Sequence, residues 1–232
     1  MSPPYLSPNV PSYPPDMSDA PSPRTQVRRL AERGSYDQDL VASILDEALI
    51  CHVAFVHEGR PFAIPTIHAR SGDTLYLHGS PASRMLRSMR SGEEISVNVT
   101  LVDGLVVARA AFHNSMNYRS VVLFGVPRVV TDSDEKWAAL EAITEHVVPG
   151  RWADSRPMTE KEFKGTLVVA LPIDEASAKT RTGGPVDDDE DYELPIWAGV
   201  VPLSTRAAAP IVDPRLAVDV DAPGYVVDYR RP

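Results

Sequence analysis

The sequence predicts a mainly β fold with α-helices at its flanks, an antiparallel barrel rather than a series of βαβ units. Three observations carry this expectation. Apolar residues alternate with other residues over six short segments between residues 50 and 130. Gly-containing turns, Glu58-Gly59, Ser71-Gly72-Asp73 and Asp103-Gly104, separate neighbouring segments at hairpin spacing. Helical three-and-four spacing interrupts the strands without alternating with them.

Residues 1–24, MSPPYLSPNVPSYPPDMSDAPSPR, are dense in Pro and Ser and poor in large aliphatics. Such a stretch buries too little apolar surface to offset its chain entropy, so a mobile arm is expected. Ser35 or Asp37 can then cap a helix in which Leu40, Val41, Ile44, Leu45 and Ala48 share one face. Strand patterns follow at 50–57, 61–69 and 74–79, then a short helix near 82–90, then strands at 94–102, 105–113 and 118–130. Asp132 with Glu135 forms a capping-box pattern for a helix carrying Trp137, Leu140, Ile143, Thr144 and Val147 on one side. A strand at 166–172 can close the sheet. Residues 179–194 join a Gly-Gly-Pro turn to an acidic run and read as a solvated loop. The expected organisation is therefore an arm (1–24), one domain (25–205) and a C-terminal extension (206–232).

Composition narrows the function classes. With 32 Asp and Glu against 23 Lys and Arg, the chain carries a formal net charge of −9, which opposes binding to phosphate backbones or anionic lipid. Neither nucleic acid nor membrane is an expected partner. A single cysteine, Cys51, permits no internal disulfide and no cysteine-rich zinc site, so a reducing, cytoplasmic setting is expected. No apolar run approaches the roughly 20 residues of a membrane span, and the first residues lack the pattern of a secretory signal. Cys51 lies in an apolar strand and reads as a buried structural thiol. The histidines lack the local spacing of a metal site.

One stretch suggests chemistry: LYLHGSPASRMLR, residues 75–87, in which a strand breaks at Gly79 and restarts as a helix. Backbone N–H groups near Gly79, hydroxyls of Ser80 and Ser83, and the cations Arg84 and Arg87 together suit a phosphate. Taken alone, the same residues are more simply read as a Ser-capped helix with solvated arginines. A second strand, YRSVV at 118–122, offers Arg119 and Ser120, a further cation and hydroxyl.

The ordered set PFAIPTIHA, LYLHGSPASRML, NYRSVVLFGVPRVV and LPIWAGVVPL resembles the pyridoxamine 5'-phosphate oxidase-like flavoproteins of the split-barrel fold, especially their nitroimidazole-resistance branch. The likeness spans roughly residues 25–205. It implies an FMN-binding split β-barrel that works as a homodimer, with the cofactor across the subunit interface. By the same resemblance, Pro65, Thr66 and Ile67 lie along the flavin, while His78, Gly79, Ser83 and Arg84 hold its phosphate. Arg119 and Ser120 then come from the neighbouring subunit, Trp197 lies near the ring, and His68 is the proton donor or polar contact there. Met85 departs from the family pattern, standing where many members carry a second cation. The Arg- and His-rich ending of the authentic oxidase has no counterpart, so synthesis of pyridoxal phosphate is not expected. The implied activity is an FMN-dependent oxidoreductase that reduces a small, planar, electron-poor acceptor. NAD(P)H as a transient donor, or another electron source, would reduce the flavin; tightly held NAD is not expected, because no dinucleotide-binding GxGxxG follows a strand. The alternative is a non-catalytic protein that binds flavin, haem or deazaflavin.

Overall fold

The computed structural model describes residues 20–216 and 220–230. The arm expected at 1–24 falls mostly outside them. Its last residues fold back: Ser22 and Thr25 close a turn through reciprocal hydrogen bonds, and Arg24 pairs with Glu94 and Glu175 while lying over the Phe124 ring.

Among the described residues, eleven strands and five α-helices follow in chain order: β1 (Gly34–Ser35), α1 (Gln38–Glu47), β2 (Ile50–His57), β3 (Arg60–Ile67), β4 (Ala69–Ser71), β5 (Thr74–Gly79), α2 (Arg84–Arg90), β6 (Ile95–Val107), β7 (Ser115–Gly125), β8 (Arg128–Val129), α3 (Ser133–Val147), α4 (Glu160–Gly165), β9 (Leu167–Pro172), β10 (Glu175–Arg181), β11 (Gly199–Pro202) and α5 (Gly224–Val227). The helix starts follow the caps read in the sequence. Asp37 accepts from Leu40 N at 2.7 Å, Ser83 from Leu86 N at 3.3 Å and Asp132 from Glu135 N at 2.8 Å. Glu135 does not complete a capping box; its carboxylate instead takes Arg128 and Tyr76.

The strands form two antiparallel sheets rather than one closed cylinder. One runs β1-β10-β7-β6-β2-β3 with β11 also paired to β6; the other runs β4-β5-β9-β8. The larger sheet buries alternate residues, such as Cys51, Val53 and Phe55 of β2, against α1 and the smaller sheet. Leu75, Leu77, Val169 and Leu171 answer from the smaller sheet. A second cluster packs Val130, Leu140, Val168 and Ala170 under α3 and α4, where Trp137 stacks on Phe163 at 4.6 Å.

Two expectations need correction. Asp103-Gly104 is not a turn, because β6 runs straight through it with a register shift between Val102 and Gly104. Gly104 is required by a different contact: a Cβ there would lie 3.0 Å from Val200 Cγ1 and 3.1 Å from the Val201 carbonyl oxygen of β11. The segment 179–194 is not wholly solvated. Lys179–Arg181 belong to β10, and the buried Asp187 carboxylate accepts from the backbone N–H groups of Arg109 and Ala110. The C-terminal extension also returns to the domain. Tyr229 donates to the Val147 carbonyl at 2.8 Å and Tyr225 to Asp154 at 2.6 Å. Among the described residues no helix is long and apolar enough to cross a membrane.

Candidate functional site

The strand-to-helix turn singled out in the sequence is built by β5 and α2. Ser80 organises it, its carbonyl accepting from Ser83 N at 2.9 Å and its hydroxyl from Ala82 N at 3.2 Å. At Gly79 a Cβ would come within 3.2 Å of Leu86 Cδ1, so the strand end and helix are tightly apposed. Arg84 and Arg87 emerge exposed, with no ion pair among the described residues. The Arg84 guanidinium lies 4.6 Å from the centre of the Phe62 ring and so joins this turn to β3. His78, half-buried on β5, has its Nδ1 buried without a hydrogen-bond partner, and burial holds its pKa below the ordinary imidazole value. His78, Gly79, Ser83 and Arg84 are thus together beside β3. Pro65 is exposed on β3, and Thr66 and Ile67 are half-buried near its end.

Arg119 is elsewhere and fully engaged. Its Nε donates to Asp103 Oδ2 at 3.0 Å, its NH2 group to Asp103 Oδ1 at 2.7 Å and Glu47 Oε1 at 2.8 Å, and its NH1 group to Glu47 Oε2. The hydrogen bonds to Glu47 and then Asp103 hold its pKa above the usual guanidinium range. This departs from the expected phosphate clamp: a dianion at Arg119 would face two carboxylates already in place. Ser120 likewise spends its hydroxyl on the Lys179 carbonyl, at 3.1 Å.

His68 departs from its expected role as well. It has no solvent exposure in the protomer, and its Nε2 donates to the Leu45 carbonyl at 2.9 Å, near the C-terminal end of α1. His146 of α3 donates to the Ala48 carbonyl at 2.8 Å, and the two rings stand 5.1 Å apart. This pair ties α1 to α3, and within the protomer it has no surface at which to deliver a proton. Trp197 is 66% exposed and folds against Gly199 at the start of β11. Cys51 is buried as expected, and desolvation pushes its thiol up to about 12.

Sequence reasoning missed a large cavity. β2 pairs with residues 96–98 of β6 and β11 with residues 104–107; the gap between them opens into a cavity of about 1180 Å³. Glu47–Ile50, Thr100–Asp103, Arg119, Leu203–Ala207, Tyr229 and Arg230 line it. No local signal marks this site, since its charged residues come from five separate stretches of chain.

Two solved structures are similar over most of the chain. The flavocytochrome Anf3 from Azotobacter vinelandii is 41% identical, with a TM-score of 0.86 over 92% of this chain and 99% of that one. The FAD and haem binding protein from Mycobacterium smegmatis is 40% identical, with a TM-score of 0.80 over 84% of this chain and 95% of that one. A candidate 5-nitroimidazole antibiotic resistance protein from Bacteroides thetaiotaomicron shares the fold at 24% identity, with a TM-score of 0.54 over 63% of this chain and 85% of that one. No curated protein matches the sequence. The family model for pyridoxamine 5'-phosphate oxidase matches residues 37–180, across α1 to β10. On that match, and on the identity to the first two structures, the chain belongs to the pyridoxamine 5'-phosphate oxidase-like family.

Proposed function

We propose that this protein is a flavin-dependent oxidoreductase whose flavin lies along β3 with its phosphate at the β5–α2 turn. The observation that carries this reading is the 41% and 40% identity, over most of the chain, to a flavocytochrome and to an FAD and haem binding protein. The local residues fit a flavin. Arg84 and Arg87 are cations free of carboxylates, the Ser83 O–H is available as a donor, and the buried, unpartnered Nδ1 of His78 awaits a polar group. The flavin is FMN or FAD. Bound there, it would carry electrons from NAD(P)H to a small, planar, electron-poor acceptor, while the protein binds, orients and shields. Arg119 is not part of this clamp. The protein acts as a homodimer, with the flavin across the subunit interface as the family resemblance implies.

The same two relatives favour a second element, haem, as an electron acceptor within the protein. The remaining alternative is a carrier that binds these groups without turnover. Cofactor extraction and mass identification, followed by anaerobic addition of NADH or NADPH, decide among these readings. Bleaching of a flavin band and its recovery with an added acceptor or with haem support the oxidoreductase. A bound flavin that no donor reduces supports the carrier, and a chain that retains no added flavin refutes both.

A further inference from the structure

The cavity beside β6 joins apolar surface to unspent positive charge. Its volume of about 1180 Å³ exceeds the roughly 300–1000 Å³ of common small-molecule pockets, so it has room for a ligand of several rings. Ile50, Val102 and Leu203 are among its lining residues and are large apolar side chains exposed in the protomer. A bound apolar body would take them out of water. None of His78, Gly79, Ser83 and Arg84 lines the cavity, so it is separate from the flavin turn.

The charges of the lining do not cancel. Glu47 and Asp103 stand against Arg119, Arg206 and Arg230, and Arg119 is the common partner of both carboxylates. Arg206 and Arg230 are exposed and form no ion pair or hydrogen bond among the described residues, so two cations remain uncommitted in a chain whose net charge is −9. The Ser204 and Thr205 hydroxyls, also in the lining, have no partner among the described residues either. Two independent anchors bring these groups to the cavity. Leu203 N donates to the Asp103 carbonyl at 3.0 Å and so carries the pairing of β11 with β6 one step further, immediately before Ser204–Arg206. The Tyr229 hydroxyl donates to the Val147 carbonyl at 2.8 Å and fixes the residue next to Arg230 at the end of α3.

We propose that this cavity is a second binding site, for an amphipathic organic anion: an aromatic carboxylate whose apolar body covers Ile50, Val102 and Leu203 and whose carboxylate is met by Arg206 and Arg230. The inference stands apart from the flavin and haem readings, since it uses none of the residues at the flavin turn. The arginines supply charge-assisted hydrogen bonds, Ser204 and Thr205 further donors, and the β2 and β6 side chains the apolar bed. Tyr229 acts as a positioning residue, through its hold on the segment that carries Arg230.

The test is fluorescence titration of 1-pyrenebutyrate with the full-length protein as purified, beside its neutral counterpart 1-pyrenebutanol. The wild-type protein should bind the acid at least roughly tenfold more tightly than the alcohol. Arg206→Ala and Arg230→Ala should each weaken binding of the acid roughly tenfold and leave the alcohol unchanged, while Arg206→Lys and Arg230→Lys, which keep the charge, should recover part of the loss. Tyr229→Phe should weaken the acid severalfold and leave the alcohol unchanged. Arg84→Ala, at the flavin turn, should bind both probes as wild type does. Equal affinity for acid and alcohol, or wild-type affinity for the acid in both alanine variants, overturns the proposal, as does a protein that binds neither probe. Loss of the acid in Arg84→Ala places the probe at the flavin turn and overturns it as well, without touching the flavin reading.

Discussion

Replacing Arg119 by alanine separates two roles for this residue. In the structure its guanidinium joins the end of α1, through Glu47, to the middle of β6, through Asp103. The side chains are 16%, 31% and 20% exposed for Arg119, Glu47 and Asp103. Breaking a fully buried ion pair costs about 3–5 kcal/mol, because the orphaned partner stays desolvated, whereas an exposed pair is worth about 0–1 kcal/mol. These exposures lie between the two limits, and two carboxylates lose their common partner, so a loss of about 2–3 kcal/mol is expected. For a chain of this length that lowers Tm by roughly 5–10 °C. Urea unfolding followed by tryptophan fluorescence measures the loss, and flavin fluorescence after ultrafiltration measures retention. Retention should be unchanged below the new midpoint. A variant as stable as wild type that sheds its flavin would refute the structural role and restore Arg119 to the phosphate clamp.

Other outcomes follow from single residues. Arg84→Ala, which removes an exposed cation from the flavin turn, should leave Tm within about 1 °C and weaken flavin binding roughly tenfold or more, read by fluorescence titration. Cys51 should resist a thiol reagent in native buffer at about pH 8 and react at once in denaturant. Its folded thiol holds its proton up to about 12 against an ordinary 9.0, so this residue's contribution to stability falls as pH rises through that window. For His78 the folded pKa lies below the ordinary 6.5, so the unfolded state binds the proton more readily. Its contribution is complete above 6.5 and is lost as pH falls below it; His78→Gln should flatten the acid side of the urea-midpoint profile. Asp37→Ala should cost about 1 kcal/mol through loss of the α1 cap.

Much of the fold was legible because its signals are local. The α1 face and its Asp37 cap lie within one helix, and the Glu58-Gly59 hairpin shows in residues whose φ values are 51° and 72°. Asp103-Gly104 carries a similar signature for a different reason. There the glycine makes room for β11, nearly a hundred residues downstream in the chain, and no window around β6 contains that information. β11 itself is a four-residue strand whose existence depends on the edge it joins. The phosphate turn was legible as a motif, whereas the partners of Arg119 were not, since Glu47 is 72 residues away. The burial of His68 was not legible, because strand alternation is silent about α1 and α3, which meet it through the Leu45 carbonyl and the His146 ring.

The closing of β11 on β6 has a consequence for assembly in the cell. Every strand of both sheets except β11 leaves the ribosome before Gly199, and part of the cavity lining comes from Leu203 onward. During synthesis the chamber is therefore an open shelf along β6. Translation of the last thirty or so residues then fits the door.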